Sequence, residues 1–201
     1  MKTIKVALTG GIACGKSLIS RTFRSLGIKL IDLDKIARHV SATNTPGLRA
    51  LEKHFGPSIL NNDRSLNREA LRQKLFENTE NQAIIESILH PKILEKMQMD
   101  IQNSHQRLIV VEVPLLVEKN LSYLFDRAIV VDCTKQNQLK RLIKRDNIDQ
   151  KMAKKILSTQ ASQKQRLDLG KKLPTDIITN NSKIFEIEQK AQDLGKKLLN
   201  L

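Results

Sequence analysis

A segment near the amino terminus has the residue types and spacing of a phosphate-binding loop. Residues 10–17 read Gly-Gly-Ile-Ala-Cys-Gly-Lys-Ser and satisfy the pattern G-x-x-x-x-G-K-[ST] in full. Glycines let consecutive backbone N–H groups curl around phosphate oxygens, while the lysine reaches the β- and γ-phosphates and the serine hydroxyl binds Mg²⁺. The pattern predicts an ATP site in which Lys16 is also catalytic and Ser17 is the metal ligand. The residues predicted to bind ATP are Gly11, Ile12, Ala13, Cys14, Gly15, Lys16 and Ser17.

Three further polar residues, Asp32, Asp34 and Arg38, follow a second predicted strand at 28–31. If the backbone stays extended there, the two carboxylates point the same way, and one can orient the proton of an attacking hydroxyl group. We predict Asp34 as this base, with Asp32 supporting it on the substrate side. The alternative is that Asp34 only caps the next helix. Arg38 shares a helical face with Asp34 and either clamps an acceptor phosphate or forms a surface ion pair.

The positive charge of the chain is concentrated in one late segment. The formal net charge is +14, and residues 135–172 contain twelve lysines and arginines against three acidic residues, a net of +9. Arg141 and Arg145 lie four residues apart on a predicted helix, where like charges repel unless an anion joins them. We therefore predict that Arg141 is catalytic, and that Arg145 and Arg166 bind ATP from a lid that closes over it. For the nearby lysines, a solvated surface remains the alternative.

Short apolar runs alternate with helical patterns, as in a parallel α/β sheet. The runs at 108–113 and 128–131 are apolar except at Glu112, which is typical of strands covered on both faces. Residues 45–106 show mainly helical patterns. We predict an α/β fold, a three-layer parallel-sheet P-loop kinase core with an inserted helical acceptor region and a helical lid. The approximate bounds are 1–44, 107–134 and 174–201 for the core, 45–106 for the acceptor-binding region and 135–173 for the lid.

Other features narrow the class of protein. The chain has neither the Asn/Thr-Lys-x-Asp motif nor the Asp-x-x-Gly switch of a GTPase, and Glu112 or Glu118 is the candidate for a second magnesium-binding acid. The two cysteines have neither a disulfide framework nor metal-ligand spacing. Cys14 is interpreted as a small loop residue, with a redox centre as the alternative. No apolar run approaches the ~20 residues of a membrane span. We expect a cytoplasmic protein.

The chain resembles the dephospho-CoA kinase family almost from end to end. The resemblance implies ATP-dependent phosphorylation of the ribose 3′-hydroxyl of dephospho-CoA, and it places Asp34 at the family's catalytic aspartate. It also implies that His90 lines the acceptor site, although His90-Pro91 is equally readable as a helix break. Cys14 and Leu18 depart from the residues common in the family without removing a phosphate ligand. The matching segments are Leu8-Thr9-Gly10-Gly11-Ile12, Gly15-Lys16-Ser17, Asp32-x-Asp34-x-x-Ala37-Arg38, Leu89-His90-Pro91, Val113-Pro114-Leu115-Leu116-x-Glu118, Gln138-x-x-Arg141-Leu142 and Gln160-Ala161-Ser162.

Two other functions remain open at this point. A nucleoside or nucleotide kinase would share the same core and differ in its acceptor pocket. A basic nucleic-acid-binding regulator that senses ATP would explain the charge, but one Tyr, five Phe and no Trp leave few side chains to stack on single strands. We therefore expect a small-molecule substrate, no nucleic acid, no membrane and a monomer.

Overall fold

A five-stranded sheet forms the centre of the protein. The computed structural model describes residues 3–201, and the strand order is β2-β3-β1-β4-β5. Parallel ladders join β1 to β3, β1 to β4 and β4 to β5. The predicted parallel α/β fold is thus confirmed. The strands are β1 (Ile4–Gly10), β2 (Lys29–Asp32), β3 (Leu108–Glu112), β4 (Arg127–Asp132) and β5 (Thr175–Thr179).

The inner strands are buried on both faces, as their continuous apolar runs predict. Ile109, Val110 and Val111 of β3 have no exposed surface although successive side chains point to opposite faces. Val110 joins residues of β1 and β4 in one core with the first and last helices, to which Phe23 and Ile187 contribute. Burial of this apolar surface on both sides holds the strand ends, and the loops that follow them, in place.

The part of the chain from residue 3 onward contains nine α-helices. No helix in residues 3–201 has both the length and the apolar character needed to cross a membrane. Short 3₁₀ turns lie at Pro57–Ile59, Leu121–Leu124 and Asp168–Lys171. The helices are α1 (Lys16–Ser25), α2 (Leu33–Val40), α3 (Pro46–Phe55), α4 (Arg68–Glu77), α5 (Thr79–Asn103), α6 (Lys135–Asp146), α7 (Gln150–Ser158), α8 (Gln163–Leu167) and α9 (Ile184–Leu199).

The chain folds as two compact units. The first contains the residues up to Ile31 together with Ser104–Leu201, and it includes the segment 135–173 that was assigned to a lid. The second is Asp32–Asn103, which is helical apart from an isolated bridge between Leu60 and Leu66. It takes in α2 as well as the segment from 45 onward, because α2 packs against α5.

The predicted helix break at His90-Pro91 is wrong. Helix α5 runs without interruption through Pro91, from Thr79 to Asn103. A proline inside a helix removes one backbone hydrogen bond and costs about 3 kcal/mol. Helices α2, α3 and α4 all pack against α5, and this tertiary packing outweighs the local cost.

Candidate active site

The loop between β1 and α1 has the backbone geometry of an anion cradle. Strand β1 ends at Gly10, where an added Cβ would lie 2.2 Å from the carbonyl oxygen of Val131, so only glycine fits against β4. The N–H of Cys14 donates to the carbonyl of Gly11 at 3.1 Å and closes a turn. Gly15 has φ of 99° and is the N-cap of α1, a conformation that favours glycine. The start of α1 therefore lies next to the loop, where its backbone N–H groups and the helix dipole favour an anion.

Lys16 and Ser17 occupy the first turn of α1. The ammonium of Lys16 donates to the carbonyl oxygens of Gly10 at 2.7 Å and Gly11 at 3.3 Å, which holds it over the loop. Ser17 is exposed, so its hydroxyl is accessible to a ligand. Residues 3–201 contain no group of three or more His, Cys, Asp or Glu that could hold a metal ion.

Two arginines with buried, unsatisfied N–H groups lie beside the loop. Arg141 donates from Nη2 to the main-chain and side-chain oxygens of Asn180, at 3.1 and 3.2 Å. Its Nη1 and the Nε of Arg166 are buried and have no hydrogen-bond partner among the described residues. Arg166 is only 5% exposed, donates to the carbonyl of Ala161, and has Nη2 3.0 Å from where a Cβ on Gly11 would lie. Unpaired buried cations are costly, so this arrangement fits a bound anion.

Arg145 has a different environment from Arg141. Its guanidinium binds the carboxylate of Asp146 at 2.7 and 2.9 Å, and its side chain is 56% exposed. The hydrogen bond to Asp146 raises the pKa of Arg145 and lowers that of the Asp146 carboxyl. The binding of an anion by Arg141 and Arg145 together, and with it a role for Arg145 in ATP binding, stays a prediction.

The acidic residues near the sheet make contacts within the fold. Glu112 pairs with Arg24 at 3.0 Å, and Glu118 accepts a hydrogen bond from the N–H of Ala161 at 2.8 Å. Asp132, at the end of β4, is 6% exposed and accepts from Nε2 of Gln163 at 2.6 Å, while its Oδ1 has no hydrogen-bond partner among residues 3–201. None of these contacts identifies the second magnesium-binding acid.

The backbone conformation around Asp32 and Asp34 differs from the extended one that was expected. Helix α2 begins at Leu33, so the backbone is not extended across the pair. Asp32 is the N-cap, and its Oδ1 accepts from the N–H groups of Asp34 at 2.9 Å and Lys35 at 3.1 Å. The alternative in which Asp34 is the N-cap is therefore wrong. Asp34 is exposed in the first turn, where the helix dipole favours a carboxylate.

Replacement of Asp32 separates capping from chemistry. Asp32→Ala removes the cap and is expected to lower the unfolding free energy by about 1 kcal/mol, whereas Asp32→Asn keeps the capping oxygen and is expected to leave stability unchanged. Denaturant unfolding measures both. If Asp32 also supports the acceptor, Asp32→Asn loses turnover without losing stability. Full turnover by Asp32→Asn would restrict Asp32 to the cap.

Arg38 and His90 both lie in the second unit. Arg38 is exposed in the last turn of α2. Nε2 of His90 is buried in α5 and has no hydrogen-bond partner among the described residues. A cavity of about 260 Å³ in this unit is lined by His39, Lys92 and Lys96, among others, but by neither Arg38 nor His90. The acceptor contacts of these two residues therefore stay predictions.

Sequence reasoning missed two features around the loop. The sulfur atoms of Cys14 and Cys133 lie 2.8 Å apart in the core. The hydrogen bond with Cys133 and the nearby charges of Arg166 and Lys16 lower the pKa of the Cys14 thiol against the cost of burial, while that of Cys133 is raised. Amide side chains from later segments also bind the loop. They are Gln138, Gln160 and Asn180. The motif Gln138-x-x-Arg141 was the one signal in the sequence for this second feature.

Comparisons with known proteins agree on one family. The family model described as dephospho-CoA kinase matches residues 4–186. A protein named dephospho-CoA kinase from Vibrio parahaemolyticus is 41% identical over 195 residues, which cover 96% of this chain and 94% of the relative. One named likewise from Yersinia pseudotuberculosis is 41% identical over 199 residues, covering 99% and 95%.

A solved structure extends this agreement to the fold. Dephospho-CoA kinase from Campylobacter jejuni superposes with a TM-score of 0.65 and 31% identity, covering 98% of this chain and 97% of the other. These matches span nearly the whole length of each protein, so the likeness is not confined to the phosphate-binding loop.

Proposed function

The chain belongs to the dephospho-CoA kinase family, and we propose how its residues carry out the family's ATP-dependent phosphorylation of dephospho-CoA, the last step of coenzyme A biosynthesis. The observation that carries the assignment is the match over nearly the whole chain, together with a phosphate loop flanked by two arginines that each have a buried, unsatisfied N–H group. The acceptor atom is taken to be the ribose 3′-hydroxyl. The products are then coenzyme A and ADP.

The nucleotide side of the reaction uses the first unit. Backbone N–H groups of the loop and of the start of α1, other than those of Ile12 and Cys14 that donate to Gln160 and Gly11, receive the phosphates. The helix dipole of α1 adds to their positive potential. Lys16 exchanges its contacts with loop carbonyls for β- and γ-phosphate oxygens. Arg141 and Arg166 direct their unpaired N–H groups at the transferring phosphoryl group, whose negative charge spreads over its oxygens in the transition state. Arg145 would add a contact only after leaving Asp146.

The acceptor side uses Asp34. An exposed carboxylate in the first turn of α2 can accept a hydrogen bond from the attacking hydroxyl and take its proton as the bond to phosphorus forms. Arg38 is proposed to bind an acceptor phosphate, and His90 to contact the acceptor through its buried, unpaired Nε2. Asp32 supports this side by fixing the start of α2.

Mg²⁺ is the metal we propose for the site. The exposed hydroxyl of Ser17, at the start of α1, fits a hard oxygen ligand, and Mg²⁺ usually keeps several waters and substrate phosphates as its other ligands. Such an ion would neutralise part of the negative charge of the ATP phosphates. This assignment explains how a metal can act here without a cluster of carboxylates in residues 3–201.

A substrate panel tests the function. Purified protein with ATP and Mg²⁺ is assayed for ADP release with dephospho-CoA, adenosine, AMP, CMP and shikimate as acceptors. Turnover with dephospho-CoA alone is expected. Turnover with another acceptor would support a P-loop kinase with a different substrate. The absence of turnover with every acceptor would favour the ATP-sensing regulator. Cytoplasmic location, a monomeric state and the absence of nucleic-acid binding stay predictions.

A further inference from the structure

We propose that Asn180 is a positioning residue that holds both the phosphate-binding loop and the guanidinium of Arg141 in place. Asn180 follows β5, and its Nδ2 donates to the carbonyl of Cys14 at 2.7 Å in a buried contact. The same side chain accepts from Arg141, as does its main-chain carbonyl. One residue therefore joins the loop that binds phosphate to a cation expected to act on it.

The packing around the loop glycines shows how close this contact is. A Cβ on Gly15 would lie 2.3 Å from Nδ2 of Asn180, so the amide occupies the space that any other residue would need. The amide of Gln138 occupies the corresponding space at Gly11, where a Cβ would lie 2.2 Å from its Nε2. This Nε2 donates to the carbonyl of Ile12 at 3.0 Å. The loop glycines thus admit two amide side chains from outside the cradle.

Asn180 is itself held rigidly. It is 7% exposed, and its N–H donates to the carbonyl of Asp132 at 2.7 Å, at the end of β4. A side chain anchored to the sheet can keep the Cys14 carbonyl turned outward, which leaves the N–H groups that follow pointing into the cradle. It also fixes Nη2 of Arg141, so that the unpaired Nη1 is presented in one orientation.

This proposal rests on the proposed function, because the ligand of the loop is taken to be ATP. The test therefore measures ATP binding by calorimetry, with Mg²⁺ and without an acceptor, so a wrong acceptor assignment does not affect it. Asn180→Asp keeps an acceptor for Arg141 but cannot donate to Cys14, and Asn180→Ala loses both contacts. Each is expected to weaken ATP binding by about tenfold or more. Asn62→Asp, in an exposed turn, is the charge-matched control and should bind as the wild type does.

Coupling to Arg141 distinguishes positioning from general destabilisation. In a double-mutant cycle, Asn180→Ala should weaken ATP binding less in an Arg141→Ala background than alone, because one partner is already gone. Thermal unfolding without ATP identifies any variant that does not fold. If one of the two Asn180 variants does not fold, ATP binding by the other one tests the proposal. Wild-type ATP affinity in a folded Asn180 variant, or additive effects in the cycle, would overturn the proposal.

A separate observation leads us to infer that Cys14 and Cys133 are a site of reversible oxidation. They are the only two cysteines of the chain, both are buried, and their sulfur atoms are 2.8 Å apart. A disulfide bond needs a sulfur separation of about 2.05 Å, so only a small approach is required. With hydrogen peroxide as the oxidant, the Cys14 thiolate attacks one peroxide oxygen and gives a sulfenic acid and water. The Cys133 thiol then displaces a second water as the disulfide forms.

The bond would tie the phosphate loop to the segment that leads into α6. Cys133 precedes Thr134, whose side chain caps α6, the helix that carries Arg141. Because the cradle depends on the position of the Cys14 peptide, the oxidised protein should bind ATP about tenfold more weakly or worse. Dithiothreitol should restore binding.

The oxidation is tested on the wild type and on Cys133→Ala. After treatment with hydrogen peroxide, intact mass should show the loss of two hydrogen atoms in the wild type, and calorimetry should show the weakened ATP binding. Cys133→Ala should form no internal disulfide and should not show the reversible loss. Absence of the disulfide in the oxidised wild type, or its presence with unchanged ATP affinity, would contradict the inference.

Discussion

Lys16→Ala is expected to lower kcat/KM for ATP by about 10²–10³-fold or more while leaving the protein folded. The ammonium is the charge that the loop holds over its carbonyls, and no neutral side chain can stabilise the β- and γ-phosphates in its place. The fold should survive because α1 is anchored by Ile19 and Phe23, both fully buried. ADP-release kinetics and thermal unfolding measure the two effects.

Two further variants sharpen the Lys16 experiment. Lys190→Ala, on the exposed face of α9, removes the same charge elsewhere and should leave turnover unchanged. Lys16→Arg keeps the charge but replaces a compact ammonium by a planar fork, so it should still lose most activity. Near-normal turnover by Lys16→Ala would contradict the ATP site built on this loop.

Asp34→Asn should reduce kcat by about 10²–10⁴-fold, the usual contribution of a positioned base. The amide keeps the shape of the side chain but cannot take the proton of the acceptor hydroxyl. The KM for ATP should change little, because the nucleotide contacts proposed here belong to other residues. Steady-state kinetics with both substrates varied separates these terms.

The control for Asp34→Asn must reproduce its effect on the helix. Glu69 is an exposed acid in the first turn of α4, so Glu69→Gln removes a carboxylate from the same position in another helix. It should cost a few tenths of a kcal/mol in stability and no activity. An Asp34→Asn enzyme with near-normal kcat would rule out Asp34 as the base and move that role to another acid.

The sequence predicts those parts of the molecule that depend on local patterns. Strand β3 could be located within one residue because every position of its run is apolar, apart from its last residue, Glu112. The phosphate loop was recognisable because its glycines and lysine lie within eight consecutive residues. The continuation of α5 through Pro91 could not be recognised from the sequence, since it depends on packing against three other helices.

Long-range contacts explain most of what sequence reasoning missed in the site. Cys14 and Cys133 are 119 residues apart, and Asn180 binds a carbonyl 166 residues away. No spacing rule connects such residues, whereas the sheet places the ends of β1, β4 and β5 side by side. The prediction for the start of α2 was wrong for a local reason, because either Asp32 or Asp34 could have served as the N-cap.

The position of the transferred phosphate is the most direct test of phosphorylation at the ribose 3′-hydroxyl of dephospho-CoA. Wild-type protein is incubated with ATP, Mg²⁺ and dephospho-CoA, and the product is examined by ³¹P nuclear magnetic resonance with proton coupling to the ribose. A single new phosphomonoester is expected on the ribose 3′-oxygen, formed in step with ADP. A phosphate on any other atom, or ADP release without a phosphorylated acceptor, would contradict it.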